Sequence, residues 1–219
     1  MIVNLVKVSS IHEIFNFKNM SKRICVFGDS ITWGAFDDEK GGWVDRLKLI
    51  NFTQNEYVEI YNLGVSGDTT ENVLSRIEVE LSAREPEFVI FSIGSNDSSY
   101  IKSEDNNFVD LEKFYKNLNK LYKITKKFTK EIVFIGLTKS NEKKTNPIPW
   151  DQDICCTNEN IKKYDLAIKN FCKENNLPFI EMFDLLKDED LEDGLHPNAQ
   201  GHEKMFQRVK DFLVENKII

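Results

Sequence analysis

Between Arg23 and the C-terminus, short apolar runs alternate with stretches whose apolar residues recur at helical spacing, and this alternation restricts the possible folds more than any other feature. RICVFG (from Arg23), YVEIYNLG (from Tyr57), FVIFSIG (from Phe88), EIVFIGLT (from Glu131) and the shorter LPFIEMF (from Leu177) read as five strands. The first is a compact apolar run that ends in Gly28, which suits a buried parallel strand. Helical stripes separate them: Trp43, Val44, Leu47 and Ile50, then Val73, Leu74, Ile77 and Leu81. A long helix is expected from about Phe108 to Phe128, with Leu111, Phe114, Leu118 and Leu121 facing inward. Ile161, Tyr164, Ile168 and Phe171 mark another, and Met205, Val209, Phe212 and Leu213 the last. Asp68 with Glu71 three residues later predicts a capping box. The stretch from Asn141 to Cys156 holds two prolines and no period, and reads as a long loop able to act as a lid.

Strands alternating with helices predict an α/β fold: a parallel sheet wound by right-handed crossovers, with helices on both faces. In such folds ligands bind beyond the carboxyl ends of the strands. Gly28-Asp29-Ser30, Gly64, Gly94-Ser95-Asn96-Asp97 and Asp193-Gly194-Leu195-His196 each follow a strand or precede the last helix. They are expected to converge on one rim.

The chain's 219 residues fit one domain over residues 20–219, preceded by an extension at residues 1–19. The net charge of −7, with both signs interspersed, disfavours a nucleic-acid partner, which needs a concentrated basic face. Lys126, Lys127 and Lys130, and Lys143 with Lys144, read as solvated surface. Cys25, Cys155, Cys156 and Cys172 lack metal-site spacing, so free thiols are expected: Cys25 and Cys172 buried, Cys155 and Cys156 in a loop. No run reaches membrane-spanning length, and the opening segment lacks a signal peptide's continuous apolar centre. A cytoplasmic protein without stable membrane association is the expectation, with oligomeric state left open.

A serine becomes an effective nucleophile when a base within hydrogen-bond reach removes its proton. Ser30 opens a helix after a strand, where it serves either as nucleophile or as helix cap. His196 lies in a turn-rich loop, and a bend through Gly194 would bring Asp193 to its Nδ1. His202 falls on the last helix, where a solvated or packing role is expected, and His12 lies outside the strand–helix pattern. An ester hydrolase also needs donors for an oxyanion; Gly64 offers its N–H and Asn96 its side-chain amide, although each is also an ordinary turn residue.

Taken together, Phe27-Gly28-Asp29-Ser30-Ile31-Thr32-Trp33-Gly34, Asn62-Leu63-Gly64-Val65-Ser66-Gly67, Gly94-Ser95-Asn96-Asp97 and Asp193-Gly194-Leu195-His196-Pro197 resemble, in order, the four blocks of the GDSL or SGNH hydrolases. Ile31 departs from the leucine of the family's name. The resemblance implies a flavodoxin-like three-layer sandwich with Ser30 as nucleophile, His196 as base and Asp193 as its orienter. It also implies an oxyanion hole from the Ser30 and Gly64 N–H groups and the Asn96 amide. No metal and no organic cofactor is expected. The substrate is expected to be a small soluble ester of short acyl chain, with Asp29, Trp33 and Trp150 as candidate substrate contacts; Phe36, Trp43 and Ile148 are further apolar candidates. Acyl transfer or thioester cleavage at the same site, and a non-catalytic binding module, stand as alternatives.

Overall fold

The computed structural model describes residues 22–51 and 58–219. The extension at residues 1–19 and His12 therefore lie outside the described residues. In chain order the elements are β1 (Lys22–Gly28), α1 (Ser30–Trp33), α2 (Trp43–Asn51), β2 (Val58–Gly64), α3 (Thr70–Arg84), β3 (Phe88–Ser92), β4 (Tyr100–Ile101) and β5 (Asn106–Asn107). There follow α4 (Leu111–Thr125), β6 (Glu131–Ile135), α5 (Glu142–Thr145), β7 (Ile154–Cys155), α6 (Asn158–Asn175), β8 (Phe179–Ile180) and α7 (Ala199–Glu215).

The five expected strands form one parallel sheet in the order β2-β1-β3-β6-β8. The period of two along β1 sorts its side chains between two cores. Cys25 and Phe27 join the core under α3, α4 and α6, with Ile77, Leu118 and Phe171. Ile24 and Val26 join the core under α2 and α7, with Trp43, Leu47 and Val209. All four β1 residues are fully buried, which explains why this strand reads as an unbroken apolar run. Phe27, Phe91 and Phe134 stack across β1, β3 and β6 at 5.7 and 4.9 Å between ring centroids. The result is a three-layer α/β/α sandwich. Trp43, one of the expected apolar site walls, is a fully buried core residue instead.

Three local expectations need correction. The helix after β2 is capped by Thr69 and Asn72 rather than Asp68 and Glu71: the Thr69 N–H and hydroxyl both donate to Asn72 Oδ1, at 2.9 and 2.7 Å. The box shifts because Asp68 is taken by Arg76, whose Nη2 lies 2.7 Å from its carboxylate. The long stretch after β6 is not featureless. It contains α5 and β7, and β7 pairs with β4 in a small antiparallel sheet, β5-β4-β7. Cys155 and Cys156 are consequently buried, as are Cys25 and Cys172, and all four are free thiols. Finally, β8 spans only Phe179–Ile180, because it pairs with β6 at just Phe134 and Ile135.

Candidate active site

The carboxyl ends of β1, β2 and β3 finish level, with Gly28 opposite both Gly64 and Ser92, so the loops that follow them share one rim. Ser30 stands on the first turn of α1. The cap of that helix is Asp29, whose Oδ1 accepts the Ile31 N–H at 3.0 Å, and Ser30 Oγ is thereby left for another partner. The hydroxyl meets His196 Nε2 at 2.9 Å. As the first helical residue, Ser30 also has a backbone N–H without an intrahelical acceptor.

The loop that carries His196 is closed by an isolated bridge between Leu191 and Pro197 and by the Glu192 N–H donating to His196 O at 2.9 Å. Gly194 takes φ +94 at its tip, and Asn141 N–H holds the Gly194 carbonyl at 2.8 Å. The bend returns Asp193 to the ring. Asp193 Oδ1 accepts the Leu195 and His196 N–H groups at 2.9 and 2.8 Å, and Oδ2 meets His196 Nδ1 at 2.6 Å. Burial pushes the Asp193 carboxyl up, but the His196 ring and these two backbone donors outweigh it and hold the group below its ordinary value. An ionised carboxylate only accepts, so the proton sits on Nδ1 and Nε2 is free to accept from Ser30.

Asn96 lies across the cleft, its Nδ2 donating to Asp68 O at 2.9 Å, which fixes the amide and leaves its second hydrogen available. Next to it, Asp97 is fully buried and caps α3, accepting the Thr70 N–H at 3.0 Å with both oxygens and the Thr70 hydroxyl as well.

Gly64 is placed differently from the sequence expectation. Its N–H donates to Asn62 Oδ1 at 3.0 Å, and an added Cβ would sit 2.3 Å from Trp33 N, so this glycine allows β2 to pack against α1. Gly67 lines the cleft with Ser30, Asn96 and His196. It occupies the third position of a turn closed by the Asp68 N–H to Val65 O bond of 3.1 Å, with φ +82. Among the described residues its own N–H has no acceptor. The adjacent pair Ser66-Gly67 is an ordinary turn signal, which the sequence offers without saying which way the N–H points.

The cleft has a volume of about 440 Å³. Phe36 and Trp150 flank the His196 ring, with centroids 5.4 and 5.9 Å away. Ser99 and Cys156 form another part of the wall, where Ser99 Oγ and Cys156 Sγ lie 3.2 Å apart. Of the candidate substrate contacts, Trp150 lines the cleft; Trp33 is exposed outside it, and Asp29 is a buried helix cap whose carboxyl burial pushes up to about 6. Among the described residues no Lys or Arg lines the cleft, and no group of three or more His, Cys, Asp and Glu is arranged to hold a metal. No described helix is long and apolar enough to cross a membrane.

Sequence reasoning missed the support behind Phe36. His202 is fully buried; the Trp43 N–H donates to its Nδ1 at 3.3 Å, so Nε2 carries the proton and donates to Ala35 O at 2.9 Å. Burial holds this imidazole below its ordinary value, which keeps it neutral. Arg46, also buried, binds Asp37 through Nε at 3.0 Å and Nη2 at 2.9 Å, and reaches Glu203 at 2.5 Å. Together these bonds tie the segment 35–42 to α2 and α7. Phe36 itself adopts φ +63, a conformation that residues other than glycine seldom take.

Residues 26–204 match the GDSL-like lipase/acylhydrolase family. The chain is similar to the GDSL esterase/lipase WDL1 of Oryza sativa subsp. japonica, being 25% identical over 203 residues that cover 87% of this chain and 76% of that protein. Among solved structures, a lipase/acylhydrolase from Enterococcus faecalis aligns with a TM-score of 0.70 and 27% identity, over 88% of this chain and 95% of that one. A catalytic mutant of Axe2, an acetylxylan esterase from Geobacillus stearothermophilus, shares the fold with a TM-score of 0.69 at 21% identity, over 89% of this chain and 93% of its own. The strand order, the four polar segments on one rim and the match over most of the sequence lead to one assignment: the chain belongs to the GDSL-like lipase/acylhydrolase family, and with it to the carboxylic ester hydrolases.

Proposed function

We propose that the protein cleaves small neutral esters of short acyl chain through a covalent acyl-serine intermediate, with Ser30 as nucleophile, His196 as general base and Asp193 as the residue that orients the imidazole. The observation that carries this reading is the continuous hydrogen-bond chain from Asp193 Oδ2 to His196 Nδ1 (2.6 Å) and from His196 Nε2 to Ser30 Oγ (2.9 Å), which opens into the cleft. As Ser30 Oγ bonds to the acyl carbon, its proton passes to Nε2 and the carbonyl electrons move onto oxygen. When the carbon–oxygen bond to the alcohol breaks, Nε2 returns the proton to the departing oxygen. Water then enters, gives a proton to Nε2 as it attacks the acyl carbon, and the acid leaves as Ser30 recovers its hydrogen.

The oxyanion is met by the Ser30 N–H, the Asn96 amide and the Gly67 N–H. Gly67 replaces Gly64 in this role because the Gly64 N–H is already committed to Asn62, whereas Gly67 borders the cleft. Donors held in place before the charge develops are the most effective kind. The buried Ser99–Cys156 pair supports a short acyl group, since it closes part of the cleft wall. Hydrolysis of nitrophenyl acetate, butyrate and octanoate by the wild type and Ser30→Ala tests the proposal. Acetate is expected to turn over best and the mutant to lose turnover on all three; full activity of Ser30→Ala refutes the serine mechanism.

A further inference from the structure

The alcohol half of the ester has its own place in this cleft. The leaving oxygen receives its proton from His196 Nε2, so the group attached to that oxygen must lie against the His196 ring. Two aromatic side chains flank that ring, Phe36 at 5.4 Å and Trp150 at 5.9 Å between centroids. Each is also more than half exposed, at 53% and 56%, which leaves ring surface available to a ligand in the cleft. The fold holds one of them in place at some cost. Phe36 is a non-glycine residue at φ +63, in a segment braced on one side by His202 and on the other by the buried Arg46–Asp37 pair. Backbone outliers retained by such bracing concentrate at ligand-binding positions.

We infer that Phe36 and Trp150 form the leaving-alcohol subsite, and that it takes a neutral alcohol built on a ring, whose flat apolar face stacks on one or both aromatics. This rests on the serine hydrolase reading above. Neutrality follows from the lining, since among the described residues no Lys or Arg borders the cleft to meet a phosphate or carboxylate on the alcohol. By elimination the acyl group is left the Ser99–Cys156 wall, so discrimination among substrates falls on the alcohol. Aryl alcohols and pyranosides share the required chemistry, a ring with an apolar face.

The test uses the intact protein and compares kcat/KM for benzyl acetate, a mono-O-acetylated methyl pyranoside and ethyl acetate, in the wild type, Phe36→Leu and Trp150→Leu. Both leucine variants keep apolar bulk and remove the ring, at exposed positions, and thermal unfolding checks that each is folded. The wild type is expected to favour at least one ring-bearing ester over ethyl acetate by about tenfold, and each variant to lower that ratio about three- to tenfold. Whichever ring ester is preferred identifies the source of the ring. A ratio near one in the wild type overturns the inference, as does a ratio that neither variant moves. If the rings only support His196, every ester slows alike and the ratio stays put, which also overturns it. An ethyl acetate to ethyl butyrate ratio that moves in place of the alcohol ratio assigns the rings to the acyl side, again against the inference. Failure of the hydrolase reading is separate: there, Ser30→Ala retains turnover.

Discussion

Asp193→Asn isolates the role of one carboxylate while disturbing little else. Asp193 accepts three hydrogen bonds, two from the Leu195 and His196 N–H groups on Oδ1 and one from His196 Nδ1 on Oδ2. An asparagine keeps a carbonyl oxygen for the two backbone donors, so the loop retains its geometry. Its amide, however, faces Nδ1 with hydrogens. The ring must then move its proton to Nε2, where it donates towards Ser30 Oγ rather than accepting from it. The nucleophile keeps its position and loses its base. A change of this kind costs about 10⁴ in kcat, or about 5 kcal/mol of barrier. The measurement is kcat and KM on nitrophenyl acetate alongside thermal unfolding; KM and the unfolding midpoint are expected to stay near the wild type while kcat collapses. Asp193→Ala should lose comparable activity and also stability, because two N–H groups on the loop lose their acceptor. Retention of wild-type kcat by Asp193→Asn would refute the reasoning, since the imidazole would then hold its tautomer without the carboxylate.

Asn96→Ala removes a donor fixed by Asp68 O and should lower kcat on nitrophenyl acetate about 10²- to 10³-fold with little change in KM. Gly64→Ala places a Cβ 2.3 Å from Trp33 N and should depress the thermal midpoint well below that of Gly67→Ala, whose Cβ meets nothing within 4 Å and costs only the left-handed conformation, about 1–2 kcal/mol. Asp37→Asn leaves Arg46 buried with Glu203 as its remaining charged partner, and urea unfolding at neutral pH should show a loss of about 3 kcal/mol. Burial pushes Asp37 up, but bonds from the Gly42 and Lys40 N–H groups and from Arg46 outweigh it, so its folded value lies below the unfolded one. Its contribution is therefore complete above the unfolded value of about 4 and is lost as pH falls through the lower folded value. Wild-type stability should fall more steeply than that of Asp37→Asn below about pH 4, as followed by unfolding across a pH series.

Much of this molecule is local, and the local part was legible in the chain itself. The unbroken apolar run of β1 reflects burial on both faces, and the helical stripes of α2, α3, α4, α6 and α7 are periodicities that any reader of the sequence can count. Alternation of the two dictates a parallel sheet with its loops on one rim, because each element has a single way to hide its apolar side. Asp193 and His196 lie three residues apart, close enough for a turn to join them. What tertiary structure alone decided depends on partners far away in sequence. Ser30 is free because Asp29 takes the cap, and it meets His196 from a sequence separation of 166. The Gly64 N–H is taken by the Asn62 side chain while Gly67 sits in a turn at φ +82, and the proposal of Gly67 over Gly64 rests on that difference. β7 escapes notice because two residues carry too little alternation to register, yet its pairing with β4 frames the cleft wall that holds Cys156. His202 reads as a surface or packing histidine until the segment 35–42 folds over it. Periodicity encodes which face of an element is buried; the orientation of a single donor, ring or cap is fixed only when distant segments close around it.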